Sequence, residues 1–252
     1  MPSKRLRIMA GPNGSGKSTV LKVIYSQFYS GLFVNADEIQ KSFKTSGFIN
    51  LLSEYNLDVS EKSFMSYLKG SGKSWITKAK KENSTISLSF KDGILFIKEK
   101  LTAYDAAMAA DFIRHALVKK NETFTFETVL SHESKIEFLN YSKEKGFKNY
   151  LYFICTVDPE ININRVKQRV SLGGHNVPQE KIVSRYIDSL LLLKKIIPLC
   201  RRVYFFDNSS ESRVEAIKPI AEIDPSGKLF LLSPNQPWWL KEYVIDTLFS
   251  SK

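Results

Sequence analysis

The sequence feature that most constrains the fold lies near the start of the chain, where eight residues, Gly11 to Ser18, match the phosphate-loop pattern G-x-x-x-x-G-K-[ST]. The apolar run 6–10 before them predicts a buried strand, and the residues from Thr19 onward have the apolar spacing of a helix. Glycines permit a tight turn that presents backbone N–H groups, and a following helix adds the positive end of its dipole. We therefore predict a nucleoside triphosphate site rather than a chance glycine- and serine-rich turn.

Each residue type in this loop has its own expected task. The loop and the first helical turn would hold a β-phosphate through Gly11, Asn13, Gly14, Ser15, Gly16 and Thr19. Lys17 would reach the β- and γ-phosphates, and the hydroxyl of Ser18 would bind Mg²⁺.

Composition narrows the classes of protein that such a loop can serve. The 252 residues allow one decorated α/β domain or two small domains, and 37 basic residues against 26 acidic ones give a net charge of +11. That charge fits a nucleic-acid partner or an enzyme with polyanionic small substrates, and the dispersed basic residues favour the second interpretation. The sequence has no apolar run of membrane-spanning length and no signal-type segment, so we expect a cytoplasmic protein with no membrane partner.

The cysteines and histidines do not suggest a metal centre. Cys155 and Cys200 stand in apolar contexts without metal-ligand spacing, and the three histidines are widely scattered. We expect both cysteines to be small buried hydrophobic residues in a reducing compartment.

A second short strand is predicted at 32–34, and acidic residues follow its end. Asp37 and Glu38 come one βα unit after the phosphate loop, and ligands of doubly wound sheets lie at the carboxyl ends of the strands. Asp37 is our candidate for the general base that accepts a proton from a substrate hydroxyl, with Glu38 as the competing candidate. The alternative is that Asp37 or Asn35 caps the helix that begins at Glu38, which does not exclude catalysis.

From residue 44 to residue 100 the alternation of strands and helices is lost, and we expect an inserted α+β subdomain there. Residues 84–90 alternate between polar and apolar, then Lys91-Asp92-Gly93 precedes the apolar run 94–97, which predicts a β-hairpin. Residues 70–74 resemble a second phosphate loop. The leading glycine would have to stand at Tyr67 and no strand precedes it, so we predict a flexible surface turn.

Regular α/β organisation returns at residues 101–210. A strand predicted at 122–129 brings Glu127 and Thr128 to its end. Glu127 would orient the acceptor hydroxyl or hold a water bound to Mg²⁺, and the alternative is an exposed acid that caps a helix. A nearly continuous apolar run at 150–155 is typical of a strand buried on both faces.

Arginines are concentrated around a glycine pair after that strand. Arg165 and Arg169 are four residues apart on one face of a predicted helix, and Arg185 lies on the next helix beyond Gly173-Gly174. This pattern predicts a lid at about 165–186 whose arginines meet the charge that develops on a transferred phosphoryl group. The alternative is a solvated basic face.

The last segment, 211–252, is predicted to be a C-terminal extension. It ends in an amphipathic helix that begins near Pro237 and carries Trp238 and Trp239. We expect this helix to pack on the core, with a partner-docking surface as the alternative.

The order and spacing of these motifs resemble the zeta-toxin-like branch of the P-loop kinases. The resemblance covers 5–43 and 101–210. The residues that carry it are Gly11 to Ser18, Asn35-Ala36-Asp37-Glu38-Ile39, Phe126-Glu127-Thr128, Arg165 with Arg169, Gly173-Gly174-His175-Asn176-Val177-Pro178, Arg185-Tyr186 and Phe206-Asp207-Asn208-Ser209.

The resemblance implies a three-layer α/β P-loop NTPase fold with a mainly parallel central sheet. The core would occupy 1–43 and 101–210, with 44–100 inserted. It further implies ATP as phosphate donor, Asp37 as base, and arginine contacts to ATP from Arg165 or Arg169 and from Arg185. The better-known toxin members phosphorylate UDP-N-acetylsugars, and an antitoxin is a possible partner.

The leading hypothesis is thus a Mg²⁺–ATP phosphotransferase that acts on a small hydroxyl acceptor. We assign four residues to the substrate side: Glu38, Glu127, Thr128 and His175. One alternative, which the +11 charge keeps open, is an RNA or nucleoside kinase. Another is a non-enzymatic ATP-gated interaction module.

Overall fold

A computed structural model describes residues 4–25, 31–174, 176–210 and 218–249, without the side chains of residues 24 and 25. The chain packs into two compact units. The first unit comprises residues 1–31 and 125–252, and the second unit comprises residues 32–124. Among the described helices, none combines the length and the apolar character that a membrane crossing requires.

The secondary-structure elements follow in chain order. They are β1 (Arg5–Ala10), α1 (Lys17–Tyr25), β2 (Leu32–Val34), α2 (Ala36–Thr45), β3 (Phe48–Asn50), α3 (Leu51–Tyr55), α4 (Glu61–Lys69), α5 (Lys73–Lys81), β4 (Leu88–Lys91), β5 (Ile94–Ile97), α6 (Ala103–Lys120), β6 (Phe124–Thr128), α7 (Ser134–Glu144), β7 (Lys148–Cys155), α8 (Pro159–Ser171), α9 (Gln179–Ile196), β8 (Arg202–Asp207), β9 (Ala221–Ile223), β10 (Leu229–Leu231) and α10 (Trp238–Leu240). A 3₁₀ turn, Ile197–Leu199, follows α9, and a π-helical segment, Lys241–Phe249, continues α10.

The first unit is built on a mainly parallel sheet. Its strands lie in the order β10-β9-β8-β7-β1-β6, with β1 and β8 parallel to β7 and with β9 and β10 antiparallel at one edge. Strand β7 is a nearly continuous apolar run because both of its faces are covered, and Leu151, Phe153 and Ile154 are fully buried. Since β1, β7 and β8 share a direction, their carboxyl ends meet at one edge, where Cys155 lies opposite Asp207.

The C-terminal helix packs on this sheet through one of its two tryptophans. Trp239 is fully buried, and its ring centroid lies 5.9 Å from that of Phe153 and 6.4 Å from that of Phe205. Trp238 is 42% exposed, and its Nε1 donates to the carbonyl oxygen of Val157 over 2.6 Å. Residues 211–217 and 250–252 of the predicted C-terminal extension lie outside the described residues.

The two cysteines differ in their exposure. Cys155, the last residue of β7, has no accessible surface, and burial raises the pKa of its thiol to about 12. Cys200 is partly buried, and both thiols are free. A thiol that stays protonated in apolar surroundings behaves as a small hydrophobic side chain.

The second unit combines helices α2–α6 with a small antiparallel sheet of order β3-β5-β4. The predicted hairpin is present, and Asp92 and Gly93 form its two-residue turn with φ of 49° and 79°. Two positive φ values in a row are typical of a type I′ turn. Strand β4 begins at Leu88 rather than at residue 84, because the N–H groups of Ser87 and Leu88 donate to the Asp105 carboxylate.

A buried polar network connects α4 with α6. The hydroxyl of Tyr67 donates to Asp111 Oδ2 over 2.8 Å, and Arg114 Nη2 donates to Asp111 Oδ1 over 2.5 Å. His115 Nδ1 lies 2.9 Å from the carbonyl oxygen of Asp111. Burial lowers the pKa of His115, and the charge of Asp111 opposes that shift. The hydroxyl of Tyr67 thus joins α4 to a buried ion pair of α6, and a change at Asp111 or Arg114 would disturb that pair.

The boundaries of the two compact units differ from the predicted domain boundaries. The second unit begins at Leu32 and ends at Phe124, so it is larger than the predicted insertion 44–100. The difference arises because α6 packs against α2, α5 and β4 of its own unit. Residues 70–74 connect α4 with α5, in agreement with the predicted turn, and α4 rather than a strand leads into them.

Candidate nucleotide site

The predicted phosphate loop forms the turn between β1 and α1. Gly11, Gly14 and Gly16 have φ of 145°, 78° and 90°, values that residues other than glycine rarely adopt. A Cβ on Gly14 would lie 2.4 Å from the carbonyl oxygen of Asn162, and one on Gly16 would lie 2.0 Å from Asn208 Nδ2. The loop therefore needs glycine both for its backbone conformation and for the close approach of its neighbours.

Three side chains with complementary chemistry meet beside this loop. Lys17 is 7% exposed, and its Nζ lies 3.0 Å from the carbonyl oxygen of Gly11, 2.9 Å from that of Pro12 and 3.8 Å from Glu127 Oε1. Ser18 Oγ donates to Glu127 Oε2 over 3.3 Å. Glu127 lies on β6, so its carboxylate contacts the residue predicted to hold phosphates and the residue predicted to bind Mg²⁺.

The remaining loop residues also have defined surroundings. Ser15 Oγ is buried and has no hydrogen-bond partner among the described residues. A buried hydroxyl without a partner is costly, which fits a loop that receives an oxygen-rich ligand. The N–H of Thr19 donates to the carbonyl oxygen of Gly16 over 3.0 Å in the first turn of α1. Thr128 Oγ1 accepts from the N–H of Leu130 over 3.2 Å, so this hydroxyl serves the local turn.

The two predicted lid helices pack on one another and reach the loop. Ile163 and Val166 of α8 and Ile182 of α9 belong to one buried apolar cluster, together with Val177, which precedes α9. Arg185 on α9 donates from Nη1 to Asn13 Oδ1 over 3.3 Å. Gly173 has φ of 82°, and a Cβ on Gly174 would lie 2.6 Å from Arg169 Cγ. The glycine pair thus permits a left-handed turn and close packing of the Arg169 side chain.

Arg165 has a different environment from Arg185. Its Nη1 donates to the carbonyl oxygen of Asn208 over 2.7 Å, and its Nη2 donates to that of Ser210 over 3.4 Å. Burial raises the pKa of the neighbouring Asp207 carboxyl, while the hydrogen bond from Ser209 and the charge of Arg165 oppose that shift. The guanidinium of Arg165 therefore holds the backbone that follows β8.

The predicted base and its competitor belong to the second unit. Asn35 caps α2, and its Oδ1 accepts from the N–H of Asp37 over 2.8 Å. Asn35 is thus the capping residue, and Asp37 and Glu38 lie in the first turn of the helix. The role of Asp37 as a base stays a prediction. His175, assigned to the substrate side, lies outside the described residues.

Sequence reasoning assigned no role to two asparagines that contact the loop. Asn162 Nδ2 donates to the carbonyl oxygen of Asn13 over 2.8 Å, and Asn208 Nδ2 donates to that of Ser15 over 2.9 Å. Asn208 follows directly after β8. The rule that ligands lie at the carboxyl ends of the strands, which pointed to Asp37, therefore also points to Asn208. The signal for Asn162 is weaker, since it is a polar residue between two isoleucines in the first turns of α8.

Comparison with known proteins gives one sequence relative and several related folds. No protein-family model matches the chain. It is 34% identical over 87 residues to an uncharacterized protein of Haemophilus influenzae (strain ATCC 51907 / DSM 11121 / KW20 / Rd), a stretch that covers 34% of this chain and 62% of that protein.

Solved structures resemble the fold over nearly the whole chain. A chain of the native AvrRxo1-ORF1:ORF2 complex superposes with a TM-score of 0.54 at 14% identity, covering 92% of this chain and 62% of that one. The same complex with ATP gives 0.52 at 15% identity, covering 91% and 61%. Our chain thus spans about three fifths of the length of these proteins. The mainly parallel sheet with its phosphate loop, together with the likeness to these structures, confirms the predicted α/β fold.

Proposed function

We propose that the chain is an ATP-dependent phosphotransferase that phosphorylates a hydroxyl group of a small acceptor. The observation that carries the proposal is the meeting of Lys17, Ser18 and Glu127 at the phosphate loop, with 3.8 Å between Lys17 Nζ and Glu127 Oε1. A loop that only bound an anion would need the backbone N–H groups and the lysine. The carboxylate beside the serine hydroxyl adds oxygen ligands of the kind that Mg²⁺ prefers.

In the proposed reaction the acceptor oxygen bonds to the γ-phosphorus, the bond from that phosphorus to the β–γ bridging oxygen breaks, and ADP leaves. The N–H groups of the loop and Lys17 bind the phosphates, and Arg169 and Arg185 supply positive charge. Ser18 would hold Mg²⁺, which neutralises phosphate charge when bound. Asp37 accepts the proton that the acceptor hydroxyl loses. Most of the rate enhancement then comes from positioning and charge stabilisation.

A nucleotide sugar such as a UDP-N-acetylsugar is the acceptor that we favour, on the strength of the family resemblance. A partner protein is part of the same proposal, since the AvrRxo1 structures contain two proteins, ORF1 and ORF2. An antitoxin that covers the nucleotide site would be such a partner.

Transfer of labelled phosphate to a panel of cell metabolites tests this function. Purified protein is incubated with γ-labelled ATP, Mg²⁺ and the panel, and mass spectrometry identifies each compound that gains a phosphate. We expect one class of hydroxyl compound to gain label with wild-type protein and none with a Lys17→Ala control. ATP binding without transfer to any acceptor would instead support the ATP-gated interaction module.

A second candidate function, an RNA kinase, is favoured by one observation on α5. Lys73, Thr77, Lys80 and Lys81 are exposed and are spaced four, seven and eight residues from the first, so they share one face of this helix. A basic helix face of this kind is suited to a polynucleotide backbone.

Charge reversal on α5 separates the two candidates. For an RNA substrate, changing Lys73, Lys80 and Lys81 to Glu is expected to weaken binding and to lower the slope of log K against log salt by up to about 3. Reversal of Lys143, Lys145 and Lys241, three exposed lysines of the first unit, is the matched control. Electrophoretic shifts across a salt series give both values. Weak RNA binding that neither triple variant changes would leave the small acceptor as the substrate class.

A further inference from the structure

Two asparagine side chains form the fixed part of the phosphate loop's surroundings. Asn162 and Asn208 donate to the carbonyl oxygens of Asn13 and Ser15 over 2.8 and 2.9 Å. Lys17 also donates to loop carbonyls, at 2.9 and 3.0 Å, but it has to turn toward the phosphates when a nucleotide binds. The amides have no such task, so we expect their hydrogen bonds to be the same with and without a bound nucleotide.

Each amide is itself held in place. Asn162 is fully buried, and its Oδ1 accepts from the hydroxyl of Thr156. The backbone N–H of Asn208 donates to the carbonyl oxygen of Cys155 over 2.8 Å. Its carbonyl oxygen accepts from Arg165 Nη1 over 2.7 Å. The two asparagines are thus attached to the ends of β7 and β8 rather than to the loop that they contact.

We propose that Asn162 and Asn208 are positioning residues that keep the phosphate loop in its anion-binding conformation. We further propose that Arg165 acts through Asn208 rather than on the phosphates of ATP. Hydrogen bonds from outside draw the carbonyl oxygens of the loop away from its centre, which leaves the N–H groups turned toward the anion, as in other backbone nests. This assignment rests on the proposed nucleotide site but not on the identity of the acceptor.

The geometry also argues against a direct phosphate contact by Arg165. Two of its guanidinium nitrogens donate to backbone carbonyl oxygens, of Asn208 and Ser210. Arg185 on α9 donates instead to the side chain of Asn13, within the loop. A phosphate would therefore compete with two existing hydrogen bonds at Arg165 and with one side-chain contact at Arg185.

Calorimetric titration of ADP and ATP into Asn162→Ala and Asn208→Ala tests the positioning role. Each change leaves a loop carbonyl without its donor, and we expect about tenfold weaker binding. ADP and ATP should be affected equally, since the loop holds the β-phosphate that both contain. Asn164→Ala is the matched control, because Asn164 is exposed on α8 two residues from Asn162, and its affinities should stay at the wild-type value.

Thermal unfolding of each variant separates a loop effect from loss of the fold. If Asn162→Ala does not fold, the nucleotide affinities of Asn208→Ala alone test the positioning role, because Asn208 is only partly buried.

A double-mutant cycle tests the role of Arg165. If Arg165 acts through Asn208, the double variant Arg165→Ala/Asn208→Ala should bind no more than about twofold more weakly than Asn208→Ala alone. If Arg165 instead contacts phosphate independently, the fold-losses of affinity in the two single variants should multiply in the double variant. The affinity for ATP should then fall more than the affinity for ADP, which is also the pattern that we expect for Arg185→Ala. Wild-type protein that binds neither nucleotide would overturn the proposed function. Wild-type binding together with unchanged affinities in both asparagine variants would overturn only the positioning role.

Discussion

Lys17→Ala is expected to weaken ATP binding by about 100-fold or more, because it would remove the proposed charge-assisted hydrogen bonds to phosphate from a largely buried position. Isothermal titration of ATP gives the affinity. Lys22→Ala is the matched control, since Lys22 is an exposed lysine on the same helix. An affinity for ATP that Lys17→Ala leaves unchanged would contradict the whole nucleotide site.

Loss of stability has to be separated from loss of binding in this experiment. Lys17 lies beside Glu127, so its removal takes a positive charge away from a carboxylate that is only 15% exposed. Lys17→Met keeps the aliphatic stem, and the double change Lys17→Met/Glu127→Gln also removes the negative charge of the carboxylate. We expect the double variant to regain thermal stability but not ATP binding.

The second large effect is expected at the predicted base. Asp37→Asn should leave the dissociation constant of ATP within about threefold of wild type and should slow transfer by about 100- to 10,000-fold, the range ascribed to general acid–base catalysis. The change is nearly isosteric. The cap of α2 is kept, because the hydrogen bond to Asn35 comes from the backbone N–H of Asp37. Single-turnover transfer to the identified acceptor measures the chemical step.

Glu38→Gln is the paired variant, since Glu38 is adjacent on α2 and is the competing candidate. Near-normal turnover in Asp37→Asn would remove Asp37 from the role. A larger loss in Glu38→Gln than in Asp37→Asn would assign the proton transfer to Glu38. Transfer that is slow in Asp37→Asn at low pH and at high pH alike would agree with loss of the base itself, because asparagine does not titrate.

Short-range patterns in the sequence predicted the features that depend on neighbouring residues. The phosphate loop is defined by residues 11–18 and by the strand and helix on either side. The hairpin between β4 and β5 follows from the Asp92-Gly93 pair, whose backbone adopts two left-handed conformations. Both features arise from backbone geometry that glycine and aspartate permit locally.

Long-range contacts set the rest of the site, and no local pattern encodes them. The hydrogen bond from Asn162 to Asn13 joins residues 149 positions apart, and that from Asn208 to Ser15 joins residues 193 positions apart. The extent of the second unit follows from the packing of α6 on α2, which alternation of strands and helices does not reveal. In the same way, Arg165 and Arg185 look equivalent as sequence, and only their hydrogen-bond acceptors distinguish them.

Because Cys155 is completely buried, the rate at which its thiol is alkylated reports how often the first unit opens. Alkylating reagents attack the thiolate, which is scarce at a thiol whose pKa burial raises to about 12 and which no reagent reaches in the closed state. Iodoacetamide should therefore label this position only in molecules whose sheet has come apart. Saturating nucleotide should slow that labelling in proportion to the occupancy of the loop, since ligands that bind only the native state deplete the open one.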